Sequence, residues 1–216
     1  MNKLIACLLL AMPVTATQLN VGAPAPLEYL VQLDEFKKFN KHLTGLGYSP
    51  SYQYLPSERS LIELNSGALD LDFANTAVSL TQYPNIIQMT KPILTAKIVA
   101  FYLKTQVQDI TQVEQLAPYN VGYLTGWKAY GKVAAFGKHK TAVSDIKRLV
   151  RMLMARRIDM IITEAGFGGA VAAALEYDVD KFAESNVLVE QPMYILLHKK
   201  HRPLQAKLAQ EVASWE

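Results

Sequence analysis

The sequence predicts an α/β fold of two similar lobes, each a mostly parallel sheet flanked by helices, joined by a two-strand hinge. Three observations predict it. Helical and strand-like stretches alternate in both halves, the order that parallel sheets with crossover helices require. A short unit occurs twice: Leu64-Asn65-Ser66-Gly67-Ala68-Leu69-Asp70 and Leu153-Met154-Ala155-Arg156-Arg157-Ile158-Asp159, its Asp residues 89 positions apart. In each copy a helix ends, an aliphatic residue precedes an Asp, and an apolar strand begins. Finally, the 216 residues are 50% hydrophobic and 19% charged, enough apolar material for a substantial core.

Each element follows from local pattern. Gln18–Gly22 reads as a short strand stopped by Pro24 and Pro26. Residues 28–46 read as one helix, because Leu30, Leu33, Phe36, Phe39, Leu43 and Leu46 recur at steps of three and four. Residues 48–55 alternate as a strand, and the next helix is expected to open with Ser57 as its cap and to end at Gly67. Leu69–Phe73 is an apolar strand. Downstream, Ile98–Leu103 reads as a strand, 109–116 as a short helix and Asn120–Leu124 as a strand. Ser144-Asp145 opens a helix carrying Ile146, Leu149, Val150 and Leu153, and Ile158–Thr163 is a buried strand. Residues 170–175 form a helix, 187–189 and 193–197 form two strands, and 204–215 form an amphipathic helix. The chain is expected to cross between lobes near 103–107 and again near 185–190, so that lobe 1 takes 17–104 and 187–216 and lobe 2 takes 105–186.

The start of the chain bears on where the protein works. Met1-Asn2-Lys3 is basic, residues 4–14 are apolar, and Val14-Thr15-Ala16 offers the small residues that a signal peptidase reads. This is the layout of a cleaved secretory signal peptide over 1–16. As a helix, residues 4–14 rise only about 16 Å against a hydrocarbon core of about 30 Å, too little for a membrane anchor. The single cysteine, Cys7, lies inside this segment. Leu4-Ile5-Ala6-Cys7 is similar to the lipobox of bacterial lipoproteins, but only three residues precede it, so Cys7 is read as a small hydrophobe.

Composition and motifs exclude several functions. The formal charge of +3 is mild, and a nucleic-acid binder would carry a denser basic stripe. There is no Gly-x-Ser-x-Gly, phosphate loop or cysteine pair. His198 and His201 are surrounded by Lys199, Lys200 and Arg202 rather than by carboxylates, which argues against a metal centre. No catalytic residue, metal or cofactor is predicted. Gly166-Phe167-Gly168-Gly169 has the wrong spacing for a dinucleotide fingerprint and reads as a tight turn. Lys147, Arg148, Arg151, Arg156 and Arg157 make one helix basic, a solvated face or a docking surface for a membrane partner.

Ordered motifs then point to a family. Pro56-Ser57-Glu58-Arg59 opens a helix that leads through Gly67 to Asp70 and Phe73; Met89-Thr90-Lys91-Pro92-Ile93 precedes the strand 98–104; Leu116 precedes Asn120–Gly126; the second Asp–strand unit ends at Glu164; Pro192–Lys199 and the final helix complete the series. In this order they resemble bacterial extracellular solute-binding proteins of family 3, the amino-acid-type periplasmic receptors of ABC transporters with the type II binding-protein fold. The resemblance implies a monomeric periplasmic protein that captures a small polar molecule in an interlobe cleft and serves a membrane permease. A membrane sensor as partner, or a secreted dehydratase-like enzyme on the same fold with Glu164 as general acid, are the alternative readings. The sequence departs from the family where amino-acid binders place an Arg to clamp the ligand carboxylate. Tyr83 stands there, residues 75–84 contain no Arg, and the acidic residue expected after the first strand is replaced by Ala23-Pro24-Ala25-Pro26.

In open parallel sheets, ligands bind beyond the carboxyl ends of the strands. The candidate ligand-binding residues are therefore Asn75 and Thr76, whose amide and hydroxyl can bond a polar solute; Thr125, Gly126 and Trp127, which offer backbone access and an aromatic wall; Glu164, a carboxylate suited to a cationic group; Tyr83; and Arg59, in the first turn of its helix, as a replacement anion clamp for the missing Arg.

Overall fold

The computed structural model describes residues 16–215, so Cys7 and the signal segment up to residue 15 lie outside the described residues. The chain runs β1 (Thr17–Ala23), α1 (Leu27–Leu30), α2 (Asp34–Gly45), β2 (Tyr48–Tyr54), α3 (Ser57–Ser66), β3 (Leu71–Asn75), β4 (Ile86–Gln88), β5 (Leu94–Leu103), β6 (Asn120–Leu124), α4 (Lys128–Ala134), β7 (His139–Val143), α5 (Ile146–Met154), β8 (Met160–Glu164), α6 (Phe167–Ala174), β9 (Phe182–Glu184), β10 (Val189–His198) and α7 (Arg202–Ala213).

Each half builds the same three-strand parallel unit. In the first, β1 pairs in parallel with β2 and β3; in the second, β6 pairs in parallel with β7 and β8. Both units begin with the same residues, Asn20-Val21-Gly22 and Asn120-Val121-Gly122. The repeated Asp closes each unit in the same way. The Asn20 amide donates to Asp70 Oδ2 at 2.6 Å while the Asp70 amide donates to Asn20 O at 2.8 Å. The Asn120 amide donates to Asp159 Oδ2 at 2.7 Å, and the Asp159 amide to Asn120 O at 2.8 Å. An Asp one residue before the register pair Val21–Leu71 or Val121–Met160 thus satisfies a backbone donor that the short ladder leaves over. The glycines correspond too. A Cβ on Gly22 would lie 2.4 Å from Ser60 Oγ, and one on Gly122 would lie 2.6 Å from both Leu149 and Ile158 side chains. The crossover helices α3 and α5 pack onto the first strand only because a side chain is missing there.

The units are joined by an exchange of strands. β10, which follows the second unit, pairs antiparallel with β3 and β4 of the first; β5, which follows the first unit, pairs antiparallel with β8 and β9 of the second. Between these segments β5 and β10 pair with each other, Leu94 with Met193 through Ile98 with Val189. This antiparallel pair is the connection between lobes. Residues 98–103, read above as part of the first lobe, pair with β8 and β9 of the second unit. The apolar run is continuous through β5, so the sequence carries no mark where the hydrogen-bonding partner changes.

Other expectations also change. The helix read over 28–46 is two helices, broken at Leu33, whose backbone is extended (φ −80°, ψ 129°). α2 lays Phe36, Phe39 and Leu43 on the core; α1 adds Leu30 to it, and its Tyr29 and Leu30 line the cleft. Ser57 is not the cap of α3, which is Pro56; its hydroxyl donates instead to Asn75 Oδ1 at 2.6 Å. The helix read over 109–116 is one 3₁₀ turn, Val113–Leu116, because Gln115 Oε1 accepts from the amides of Thr111 and Gln112 and takes the place of helical bonds. The strands read at 187–189 and 193–197 are one strand, β10, and the glycine-rich turn is the first turn of α6. β4, α4, β7 and β9, short or polar, leave no clear period in the sequence.

Candidate functional site

A cavity of about 230 Å³ lies between the lobes. Its walls come from the carboxyl ends of four parallel strands: Pro24 and Ala25 after β1, Ala74 and Thr76 at β3, Leu124 and Trp127 after β6, and Glu164 and Ala165 at β8. The crossing strands supply the floor through Leu94, Ala96, Ile98, Gln191 and Met193. This is where the strand-end rule places a ligand in such sheets. The walls are mostly apolar, with few polar groups, the usual make-up of a small-molecule site.

The lobes touch around this cavity. Tyr29 of α1 meets Phe167 of α6 edge to face, ring centroids 4.8 Å apart. Gly126, in the left-handed region at φ +85°, packs on Pro56, which a Cβ would approach to 2.5 Å. Lys128 Nζ lies 3.3 Å from Glu58 Oε1, an exposed ion pair across the gap. Trp127 and Tyr130 stack at 5.6 Å, both buried.

Of the residues singled out by sequence, Thr76, Trp127 and Glu164 line the cavity. Glu164 ends β8 opposite Ile98. Its carboxylate has no hydrogen bond or ion pair among the described residues, and burial holds its pKa above the ordinary Glu value. Trp127 Nε1 is buried without a hydrogen-bond partner among the described residues. It lies close enough to the Tyr54 phenol to oppose slightly the burial that raises that group's pKa.

The other candidates stand elsewhere. Asn75 belongs to a buried network: its Nδ2 donates to Asp72 Oδ2 at 2.8 Å and its Oδ1 accepts from Ser57. Asp72, also held by the Ser60 hydroxyl and the Ala74 amide, is fully buried, and desolvation raises its pKa despite these donors. Arg59 is a surface residue, its side chain 70% exposed and its Nε donating to Glu63 Oε1 at 2.8 Å. Tyr83 packs in a separate apolar cluster with Leu61, Leu64, Leu69, Ile86 and Leu196. Thr125 is exposed and Gly126 lies at the interlobe contact rather than in the cavity wall. A helix dipeptide spacing cannot show which way Arg59 turns, and Tyr83 reads as polar only until its neighbours are known.

Tyr29, Tyr130, Phe167 and Gln191 line the cavity and escaped the sequence reading. Tyr29 was absorbed into an apparent long helix, and Phe167 into a glycine run. Only Tyr130 left a trace, standing three residues after Trp127 at helical spacing. Among the described residues no group of three or more His, Cys, Asp or Glu is placed to hold a metal, and no helix is long and apolar enough to cross a membrane.

No protein-family model matches the chain, and no curated protein matches it either. Solved structures do. The arginine-bound, truncated ArgBP from T. maritima superposes with a TM-score of 0.74 at 14% identity, over 94% of this chain and 98% of that one. The GluR0 ligand-binding core in complex with L-glutamate gives 0.73 at 13% identity, over 92% of each chain. A histidine-bound substrate-binding protein of an ABC uptake transporter from Streptococcus pneumoniae gives 0.70 at 14% identity, over 91% and 86%. These neighbours are binding proteins, and this chain has their fold: the two-lobed architecture of the amino-acid-type solute-binding proteins.

Proposed function

We propose that the chain is a solute receptor that captures a small organic molecule between its lobes and releases it unchanged, working as a periplasmic monomer with an ABC-type membrane permease. The observation that carries this reading is the cavity walled by strand ends of both lobes and floored by the two strands that join them. A ligand seated there touches both lobes at once, so its binding energy favours the closed arrangement over an open one. On this reading the hinge is the β5–β10 pair, from Leu94–Met193 to Ile98–Val189. The solute is not a standard α-amino acid. Among the described residues the cavity wall carries no Arg to grip a carboxylate in two-point fashion, and Arg59 is engaged with Glu63 on the surface. The solved structures that share this fold are binding proteins, which supports binding over turnover.

The test is a thermal-shift and calorimetric screen of the purified chain against a metabolite library. A ligand that binds the native state must raise the melting temperature, by about 2.7 kcal/mol of added stability at a hundredfold excess over its Kd. A library in which nothing shifts the transition removes the capture reading.

A further inference from the structure

The charge around the cavity is one-sided. Among the described residues that line it, Glu164 is the only acid and Lys128 the only base. Lys128 is turned to the rim, its side chain 67% exposed and its ammonium against Glu58. Glu164 therefore stands at the end of β8 as a carboxylate with no hydrogen bond or ion pair among the described residues, near the buried Tyr130 phenol and among mostly apolar walls. An anionic or zwitterionic solute would bring a second carboxylate into this space with no guanidinium to receive it. A neutral apolar solute would fill the space and leave Glu164 unpaired. A cation would satisfy it.

The rings around the cavity favour the same charge. Tyr29 and Phe167 meet edge to face across the lobes, and Trp127 and Tyr130 stack within the second lobe. Aromatic faces carry negative quadrupole potential and attract a cation that lies within about 6 Å of the ring centre. Because Tyr29 and Phe167 belong to different lobes, this wall is complete only when the lobes meet, so a cation seated against it would also hold the receptor shut.

We infer that the cavity takes an organic monocation, a primary amine or quaternary ammonium on a compact apolar body without a carboxylate, held between Glu164 and the Tyr29–Phe167 and Trp127–Tyr130 ring pairs. The inference rests on the capture reading above and names the class of molecule for the same site.

The experiment uses the purified chain and five related probes: phenyltrimethylammonium, 2-phenylethylamine, L-phenylalanine, 3-phenylpropionate and 2-phenylethanol. Calorimetry and tryptophan fluorescence are expected to show that the two cations bind about tenfold or more tighter than the other three, through a charged hydrogen bond to Glu164 for the primary amine and through coulombic and cation–π attraction for the quaternary ammonium. Glu164→Gln, checked for a native circular dichroism spectrum, is expected to weaken both cations by about tenfold or more. Tyr29→Leu is expected to weaken them by about three- to tenfold, the range of one cation–π contact. Tighter or equal binding of phenylalanine, phenylpropionate or phenylethanol overturns the inference, as does unchanged cation affinity in Glu164→Gln. If neither cation binds while another class from the metabolite library does, the inference falls and the capture reading stands. If no compound of any class binds, the capture reading falls first.

Discussion

The two lobes open their sheets with the same words and then load them differently. Asn20-Val21-Gly22 with Asp70, and Asn120-Val121-Gly122 with Asp159, form the same reciprocal backbone clamp. In the first lobe the carboxylate is also the anchor of the C-terminal segment. Lys200 Nζ and His201 Nε2 both reach Asp70 Oδ1 at 2.7 Å, just before α7 begins. In the second lobe the added contact is local, Asn120 Nδ2 donating to Asp159 Oδ2 at 3.0 Å. The glycines diverge in the same sense. Gly22 faces Ser60, whose hydroxyl is committed to the buried Asp72, whereas Gly122 meets first the apolar ends of Leu149 and Ile158. The comparison teaches that a repeated sequence motif reports a shared local solution, while its weight in stability comes from what the rest of the chain attaches to it.

The sharpest way to break this comparison is to fill the two glycines. Gly22→Ala is expected to cost about 3 kcal/mol or more, because the new methyl drives Ser60 away from a buried carboxylate as well as overpacking the helix contact. Gly122→Ala is expected to cost only about 1–2 kcal/mol, since Leu149 and Ile158 can change rotamer. Urea unfolding midpoints measure both, and equal losses would remove the asymmetry.

The Asp clamps come next. Asp70→Asn is expected to lose about 2 kcal/mol at neutral pH and Asp159→Asn about 1 kcal/mol. Burial alone would raise the Asp70 pKa, but hydrogen bonds from Lys200, the Asn20 amide and His201 outweigh it and hold it below the usual carboxylate value. A carboxylate lowered on folding stabilises the protein above its unfolded pKa, and that contribution disappears as pH falls through the folded value. The gap in melting temperature between wild type and Asp70→Asn should therefore be full at neutral pH and close in acid. A gap that persists below about pH 3 would assign the loss to packing instead.

Glu164 gives a prediction of opposite sign. Its pKa is raised by burial, so in the unliganded chain the ionised form opposes folding at neutral pH and the protonated form does not. Glu164→Gln should raise the melting temperature slightly near pH 7, with the gain vanishing as pH falls below the usual Glu range. A loss at neutral pH would show that the carboxylate has a structural partner.

The smallest effect is expected at Arg59. Arg59→Ala should change stability by under about 0.5 kcal/mol, as exposed ion pairs do, and leave ligand affinity untouched. A loss of affinity would return Arg59 to the site.

Much of the fold was legible because periodicity and punctuation are local. The strands at 120–124 and 158–163, and the Asp145 cap that accepts from the Lys147 amide at 2.9 Å, follow from a few neighbouring residues. The site was legible only in part. Trp127 and Glu164 stand at strand ends that the duplicated unit locates, so topology alone delivers them. Asn75 occupies an equally suggestive place, yet Ser57 and Asp72 claim its amide from within the first lobe. Tyr29 and Phe167 meet 138 positions apart, and nothing local to either announces the other.

By itself the sequence determined the two-lobed α/β plan, the paired Asp units and the order of the main elements, because each rests on spacing within a turn of helix or a few residues of strand. Only the tertiary structure decided where the chain changes lobes, which way Arg59 and Tyr83 turn, and that four rings and one unpaired carboxylate share a cavity. Those facts depend on which strand accepts a hydrogen bond and on which surfaces of the two lobes touch. They are properties of pairs far apart in the chain, and no short window of residues contains them.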